Sequence, residues 1–128
     1  MIDTNVAIHL RDGDPAIRAK MDTLGTPPLL SIVSRVELEN GVNGVNGDPA
    51  VSGMRLARLD LMLAVMSVTP FDDACADAFR LIMTGVAYSR RKLLDRMIAA
   101  QAMVHNATLV TMNASDFNDI PNLKVVGW

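Results

Sequence analysis

Four acidic residues lie just after predicted strands or in the first turns of predicted helices: Asp3, Glu37, Asp95 and Asp116. In open parallel α/β sheets, ligands bind outside the carboxyl ends of the strands. We therefore expect the four carboxylates, although far apart along the chain, to lie close together at one edge of such a sheet.

A cluster of this kind would need a cation. Two carboxylates 4 Å apart repel each other by about 4 kcal/mol at an effective dielectric of about 20. A hard divalent ion that prefers oxygen ligands, Mg²⁺ or Mn²⁺, removes that cost. Such an ion can also activate a water for attack on a phosphodiester and offset the charge that develops on phosphorus.

Short apolar runs alternate with helical patterns along the whole sequence. The predicted strands are residues 1–2, 29–33, 67–70, 108–111 and 123–126. Helices are predicted over residues 6–10, from Pro15, from Ser34 in a capping box with Glu37, over 54–66, from Asp72, and over 93–105. This order predicts an α/β domain with a central, mostly parallel sheet flanked by helices. The repeated triplets of GVNGVNG, residues 41–47, predict a loop.

For two of the predicted helices, the apolar spacing also predicts which residues face the core. In the helix after Asp72 these are Ala76, Phe79, Ile82 and Met83, and in the helix over 93–105 they are Leu94, Met97 and Ile98.

Length and composition narrow the class of protein. A chain of 128 residues, half of them apolar, fits one domain over residues 1–128. The single cysteine, Cys75, excludes an internal disulfide, so we expect a cytoplasmic protein. No apolar run approaches the roughly 20 residues that a membrane span requires, so we expect no membrane association. A net charge of −2 excludes a strongly basic nucleic-acid-binding protein.

Basic residues nevertheless concentrate just before and within the helix over 93–105. Four of them are candidates for contacts with RNA phosphates: Arg90, Arg91, Lys92 and Arg96. The alternative is a solvated helix face with no ligand.

Each acid also has a purely structural interpretation. Asp3 could cap the helix that follows it, and Glu37 could be the fourth member of its capping box. Asp95 could form a surface ion pair with its basic neighbours, which would contribute little to stability. Asp116 could belong to a turn that Asn113 opens.

Four sequence blocks carry a family resemblance: MIDTNV at the start, SRVELENG at 34–41, LLDRMIAAQA at 93–102 and TLVTMNASDF at 108–117. In this order and with these gaps, they resemble the motifs of the PIN-domain ribonucleases, and most of all the VapC-type toxins of bacterial toxin–antitoxin pairs. The ending NLKVVGW is similar to the last strand of that family.

The resemblance implies a PIN-like fold and an acidic site made of Asp3, Glu37, Asp95 and Asp116. It implies dependence on Mg²⁺ or Mn²⁺, with Asp3 and Asp95 as principal metal ligands and the other two acids around them or on a second ion. It implies endonucleolytic cleavage of RNA by a homodimer that a cognate antitoxin neutralises by blocking the acidic pocket. Four further residues would support the site through hydrogen bonds: Thr4, Asn5, Thr111 and Asn113.

Two other functions fit the same α/β pattern. A phospho-acceptor receiver module also has an acidic Mg²⁺ pocket, but it requires adjacent acids after the first strand, and Asp3 has no acidic neighbour. A catalytically silent interaction domain would keep the fold alone. The sequence does not indicate which RNA would be cut.

Overall fold

The computed structural model describes residues 1–43 and 47–128, and within them six α-helices alternate with four short strands. The helices are α1 (Thr4–Asp12), α2 (Pro15–Asp22), α3 (Ile32–Asn40), α4 (Pro49–Val65), α5 (Asp73–Gly85) and α6 (Leu93–Val104). The strands are β1 (Leu29–Ser31), β2 (Ser67–Thr69), β3 (Leu109–Thr111) and β4 (Val125–Gly127). Two 3₁₀ turns lie at Arg90–Lys92 and Ala114–Phe117. No helix in the described part of the chain is long and apolar enough to cross a membrane.

The sheet is parallel throughout its described pairings. Strand β1 pairs with β2, and β3 pairs with β4. Ile2 joins the two pairs, because it forms parallel bridges to Leu30 on one side and Val110 on the other. The resulting order is β2, β1, Ile2, β3, β4, which confirms the predicted α/β class. Ile2, the residue before Asp3, therefore lies at the centre of the sheet.

Side chains alternate between two cores, one on each face of this sheet. Ile2, Leu30 and Val110 pack with apolar residues of α1, α2, α3 and α4. Met1 and Leu109, the sequence neighbours of Ile2 and Val110, pack on the other face with residues of α5 and α6. This alternation is the period of two that a strand imposes, and it produces three layers, helix, sheet and helix.

Helix α6 is attached to the carboxyl ends of two strands through a buried glutamine. Gln101 is fully buried; its Oε1 accepts a hydrogen bond from the Ser31 hydroxyl at the end of β1. Its Nε2 donates to the carbonyl oxygens of Thr69 and Pro70, each at 2.9 Å, at the end of β2. The polar groups where β1 and β2 end are therefore satisfied by the helix that carries Asp95.

Replacing Gln101 with leucine is expected to lower the free energy of unfolding by about 3 kcal/mol. The variant leaves the Ser31 hydroxyl and two carbonyl oxygens without their partner, and each unsatisfied buried group costs roughly 1–3 kcal/mol. Urea denaturation measures the change. Thr84→Ala, which removes an exposed hydroxyl bound to the Leu81 carbonyl, serves as the control and should change stability by less than about 0.5 kcal/mol. Equal effects of the two substitutions would contradict the assigned role of Gln101.

Several local predictions differ from the structure. The helix predicted over 54–66 begins at Pro49, because Asp48 caps it there, and the strand predicted over 123–126 is β4 at Val125–Gly127. Strand β1 ends at Ser31 rather than at residue 33, because the Ser31 hydroxyl accepts from the Val33 amide and starts α3 there. The predicted capping box of Ser34 and Glu37 is therefore wrong. Ala76 is exposed on α5, where Cys75 is buried instead. Leu94 is 39% exposed, because small residues of α6 face the core.

The loop predicted over 41–47 is described only in part. Residues 41–43 form a turn that ends α3, and residues 44–46 lie outside the described part of the chain.

Candidate active site

Asp3 occupies the centre of the sheet edge and also caps a helix. Its amide donates to the Val110 carbonyl at 2.9 Å, which continues the parallel pairing past Ile2. Its Oδ1 accepts from the Val6 amide at 2.8 Å and caps α1. The Thr111 side chain lies close enough to the same carboxylate to lower its pKa. Burial raises the pKa of Asp3 despite these contacts, and the charge of Asp116 adds to the increase. The capping interpretation is therefore correct, and it does not exclude a role in a ligand site.

Asp95 lies in the first turn of α6 and is half-buried. Burial raises the pKa of its carboxyl most, followed by the charges of Asp116, Asp3 and Glu37. The ion pair predicted with its basic neighbours is not what the structure has, since Arg96 pairs with Asp119 and Lys92 with Asp116. Asp95 thus carries an unfavourable charge among other acids.

Glu37 lies in the second turn of α3 and is held by a hydroxyl from α1. Thr4 Oγ1 lies 2.5 Å from Glu37 Oε2 and 2.9 Å from Ser34 Oγ. Thr4, which the resemblance implied as a supporting residue, therefore orients a candidate acid. The buried Ser34 was missed, because its position reads from sequence as an ordinary helix start.

Asp116 sits on the 3₁₀ turn that follows β3. Its Oδ2 accepts from Asn113 Nδ2 at 2.6 Å, and its Oδ1 lies 3.8 Å from Lys92 Nζ. The turn predicted from Asn113 is therefore present. Thr111 Oγ1 accepts from the Asn113 amide at 3.0 Å, so Thr111 links this turn to Asp3.

One cavity of about 250 Å³ gathers three of the four acids. Asp3, Glu37 and Asp95 line it, together with Thr4 and Asn5. Asn40, at the end of α3, also lines it and was not predicted. Asp116 is not part of the lining, yet its charge raises the pKa values of both Asp3 and Asp95. The structure thus brings three acids into one cavity and the fourth beside it.

The donor set fits a hard divalent cation that keeps part of its water. Over residues 1–43 and 47–128, no three carboxylate, imidazole or thiol groups stand close enough to ligate one ion together. Mg²⁺ does not require such a cage, because it is usually held by one or two carboxylates and several waters. Asp3 and Asp95 supply two such carboxylates, and burial raises the pKa of each, so a cation beside them would favour their charged forms.

The candidate phosphate-binding residues do not form one group. Arg90 and Arg91 are exposed at the 3₁₀ turn before α6. Lys92 lies against Asp116. Arg96 is buried, with its guanidinium engaged by the segment 116–119, so it does not present its charge to solvent.

Without divalent ions, the stability contributed by Asp3 and Asp95 is expected to increase as the pH falls. Both pKa values are raised on folding, so the folded state binds more protons than the unfolded state between the ordinary and the raised values. The unfavourable contribution of the two charged carboxylates to folding is fully present above their raised pKa values. It vanishes below the ordinary pKa of an aspartate. Asp95→Asn should therefore be more stable than the unmodified protein near pH 7, with an advantage that shrinks toward pH 4. Urea titrations in EDTA measure this difference, and an advantage independent of pH would contradict the shift.

A larger groove lies away from the acids. It measures about 560 Å³ and runs between α2, the segment that follows it, and α4. Apolar side chains, among them Met21, Leu61 and Val65, line it beside Arg18 and Arg58.

The sequence matches one family model, the PIN domain, over residues 1–123. It is also similar to Ribonuclease VapC2 of Rickettsia felis, with 27% identity over 139 aligned positions that cover 100% of this chain and 96% of the relative.

Solved structures share the fold. The crystal structure of VapBC2 from Rickettsia felis bound to a promoter DNA fragment has a TM-score of 0.84 at 24% identity and covers 100% of this chain and 97% of that one. DNA-bound VapBC from Salmonella typhimurium has a TM-score of 0.83 at 23% identity, with coverages of 100% and 96%. FitAcB from Neisseria gonorrhoeae has a TM-score of 0.84 at 24% identity, with coverages of 98% and 95%.

Proposed function

Because the chain belongs to the PIN-domain family, we propose that it is a divalent-metal-dependent endoribonuclease and the toxin of a toxin–antitoxin pair. The observation that carries the proposal is the cavity in which Asp3, Glu37 and Asp95 meet, at the carboxyl edge of the parallel sheet. The similarity to Ribonuclease VapC2 supports RNA as the substrate.

The acids have different roles in this proposal. Asp3 and Asp95 would hold Mg²⁺ or Mn²⁺, since both line the cavity and burial raises the pKa of each carboxyl most. Glu37, oriented by Thr4, lines the same cavity and would add a carboxylate for the ion or its water. When bound, the ion activates a water and offsets charge on the phosphodiester. Asp116 adds negative charge at the rim and strengthens the attraction for the cation.

Supporting residues keep these carboxylates in place. Thr111 favours the charged form of Asp3 and accepts from the Asn113 amide, and Asn113 in turn donates to Asp116. Asn5 lines the cavity beside Asp3. The RNA backbone is contacted by Arg90 and Arg91, which are exposed at the amino-terminal side of the helix that carries Asp95.

We propose a cognate antitoxin and a second copy of the chain as protein partners, and a cytoplasmic site of action on RNA. The similar solved structures are VapBC and FitAcB complexes. Exposed apolar side chains on α4 and α5, such as Leu61, Val65 and Leu81, offer surface for such contacts. An antitoxin segment that enters the acidic cavity would exclude RNA from it.

The proposal predicts that the purified protein cuts RNA internally in Mg²⁺ or Mn²⁺ and loses this activity in EDTA. Mg²⁺ should also raise the melting temperature, because a ligand at a hundred times its Kd stabilises the folded state by about 2.7 kcal/mol. End-labelled RNA and a thermal melt measure the two effects.

Asp95→Asn, purified identically, controls for contaminating nucleases. Cleavage that survives EDTA, or that is equal in the variant, would contradict the proposal. A protein with neither cleavage nor a metal-dependent melt would instead be a silent interaction domain.

A further inference from the structure

Arg96 is a buried cation that faces away from its acidic sequence neighbour. Its side chain is 4% exposed, and its Nη2 donates to Asp119 Oδ2 at 2.6 Å. Its Nη1 donates to the main-chain carbonyl of Asp116 at 3.2 Å. The guanidinium therefore binds the Asp116 carbonyl and the Asp119 carboxylate at the same time. Arginine can do this because its planar guanidinium presents several N–H donors in a fixed fork.

The turn that carries Asp116 is held on two sides. Phe117 is buried in the core formed with α5 and α6, and this fixes the apolar side of the turn. Arg96 binds its polar side, and Lys92, one turn earlier, places Nζ 3.5 Å from the same Asp116 carbonyl. The carboxylate of Asp116 projects from a backbone whose position α6 determines.

Asp95 and Arg96 are consecutive in α6. The same helix therefore carries Asp95 and holds the turn of Asp116. Asp95 lines the acidic cavity, while Arg96 binds the turn on which Asp116 sits. We propose, on the basis of the nuclease function above, that Arg96 is a positioning residue that sets the distance between the Asp116 and Asp95 carboxylates. It touches neither the substrate nor the ion and acts through Asp116.

The expected effect of Arg96→Met is a 10- to 100-fold lower kcat, the range typical of residues that orient metal-site groups. The same substitution in an Asp116→Ala background should change kcat by less than about threefold, because the group it positions is already absent. A purely structural role would lower kcat by the same factor in both backgrounds. Single-turnover cleavage with enzyme in excess measures all four proteins.

Three further variants keep the test valid if Arg96→Met misfolds. Asp119→Asn removes the exposed partner of Arg96 and leaves the core untouched, so it should fold and lower kcat in the same direction by a smaller factor. Arg80→Met removes an exposed arginine of α5 and should leave kcat unchanged. Arg96→Lys keeps the charge without the fork, so it should recover only part of the lost rate.

Amide hydrogen exchange gives a readout that does not depend on cleavage. The Asp116 amide donates to Asn113 and the Asn118 amide to Ser115. Both should exchange roughly tenfold faster in Arg96→Met, because losing the charged donor to the Asp116 carbonyl lets the turn open more often. Unchanged exchange, or equal rate losses with and without Asp116, would overturn the inference. An absence of RNA cleavage by the unmodified protein would contradict the proposed function and leave the exchange result decisive for Arg96.

Discussion

Asp95→Asn is expected to reduce RNA cleavage roughly a thousandfold while the protein stays folded. A divalent ion contributes several kcal/mol to stabilising a phosphoryl transition state, and each 1.36 kcal/mol corresponds to a factor of ten in rate. The asparagine removes the charge that binds the ion. It also removes a charge whose burial, together with repulsion from Asp116, Asp3 and Glu37, raises the pKa of Asp95, so stability without metal should not fall.

Single-turnover cleavage and a thermal melt, both with and without Mg²⁺, test this expectation. The Mg²⁺-dependent increase in melting temperature should disappear together with the activity. Asp60→Asn, a change to an exposed aspartate of α4, is the matched control and should leave both unchanged. Retained metal-dependent cleavage by Asp95→Asn would remove Asp95 from the site.

Two substitutions at Asp3 are expected to separate its two roles. Asp3→Asn and Asp3→Ala should each reduce cleavage by about the same factor as Asp95→Asn, because both remove a carboxylate that lines the cavity. Only the alanine removes the cap that accepts from the Val6 amide. Since asparagine caps helices as well as aspartate does, Asp3→Ala should lose about 1 kcal/mol more stability than Asp3→Asn.

Cleavage assays and urea denaturation of both variants, in EDTA and in Mg²⁺, measure these effects. The alternative interpretation, in which Asp3 only caps α1, predicts normal cleavage by the folded Asp3→Asn protein. That result would reject Asp3 as a metal ligand and would leave the capping role intact. If both Asp3→Asn and Asp3→Ala lost cleavage but were equally stable, the result would contradict the capping role of Asp3 at α1.

Local signals in the sequence were sufficient for most of the elements. Asp14 before Pro15 predicted the start of α2, and Asp72 predicted the start of α5, because a capping carboxylate binds amides two or three residues away. The alternation of apolar runs with helical patterns predicted the parallel sheet, which the pairings of Ile2 confirm. The positions of Asp3 and Asp95 at the sheet edge followed from the same order of elements.

Other features depend on residues that are distant in sequence. Thr4 meets Glu37 across 33 positions, and Ser31 meets Gln101 across 70. Arg96 looked like a surface cation beside other cations, yet it is buried against Asp119. No local pattern separates these residues from ordinary polar positions on a helix.

The sequence alone therefore determined the α/β order, the caps of α1, α2 and α5, and the set of acids that could bind a cation. Hydrogen bonds within a few residues and the periodicity of apolar side chains encode all of these. The tertiary structure alone decided that Asp3, Glu37 and Asp95 line the cavity while Asp116 stands beside it. It also decided that Arg96 holds the turn of Asp116, because packing of α6 against the sheet sets which distant groups come within hydrogen-bonding distance.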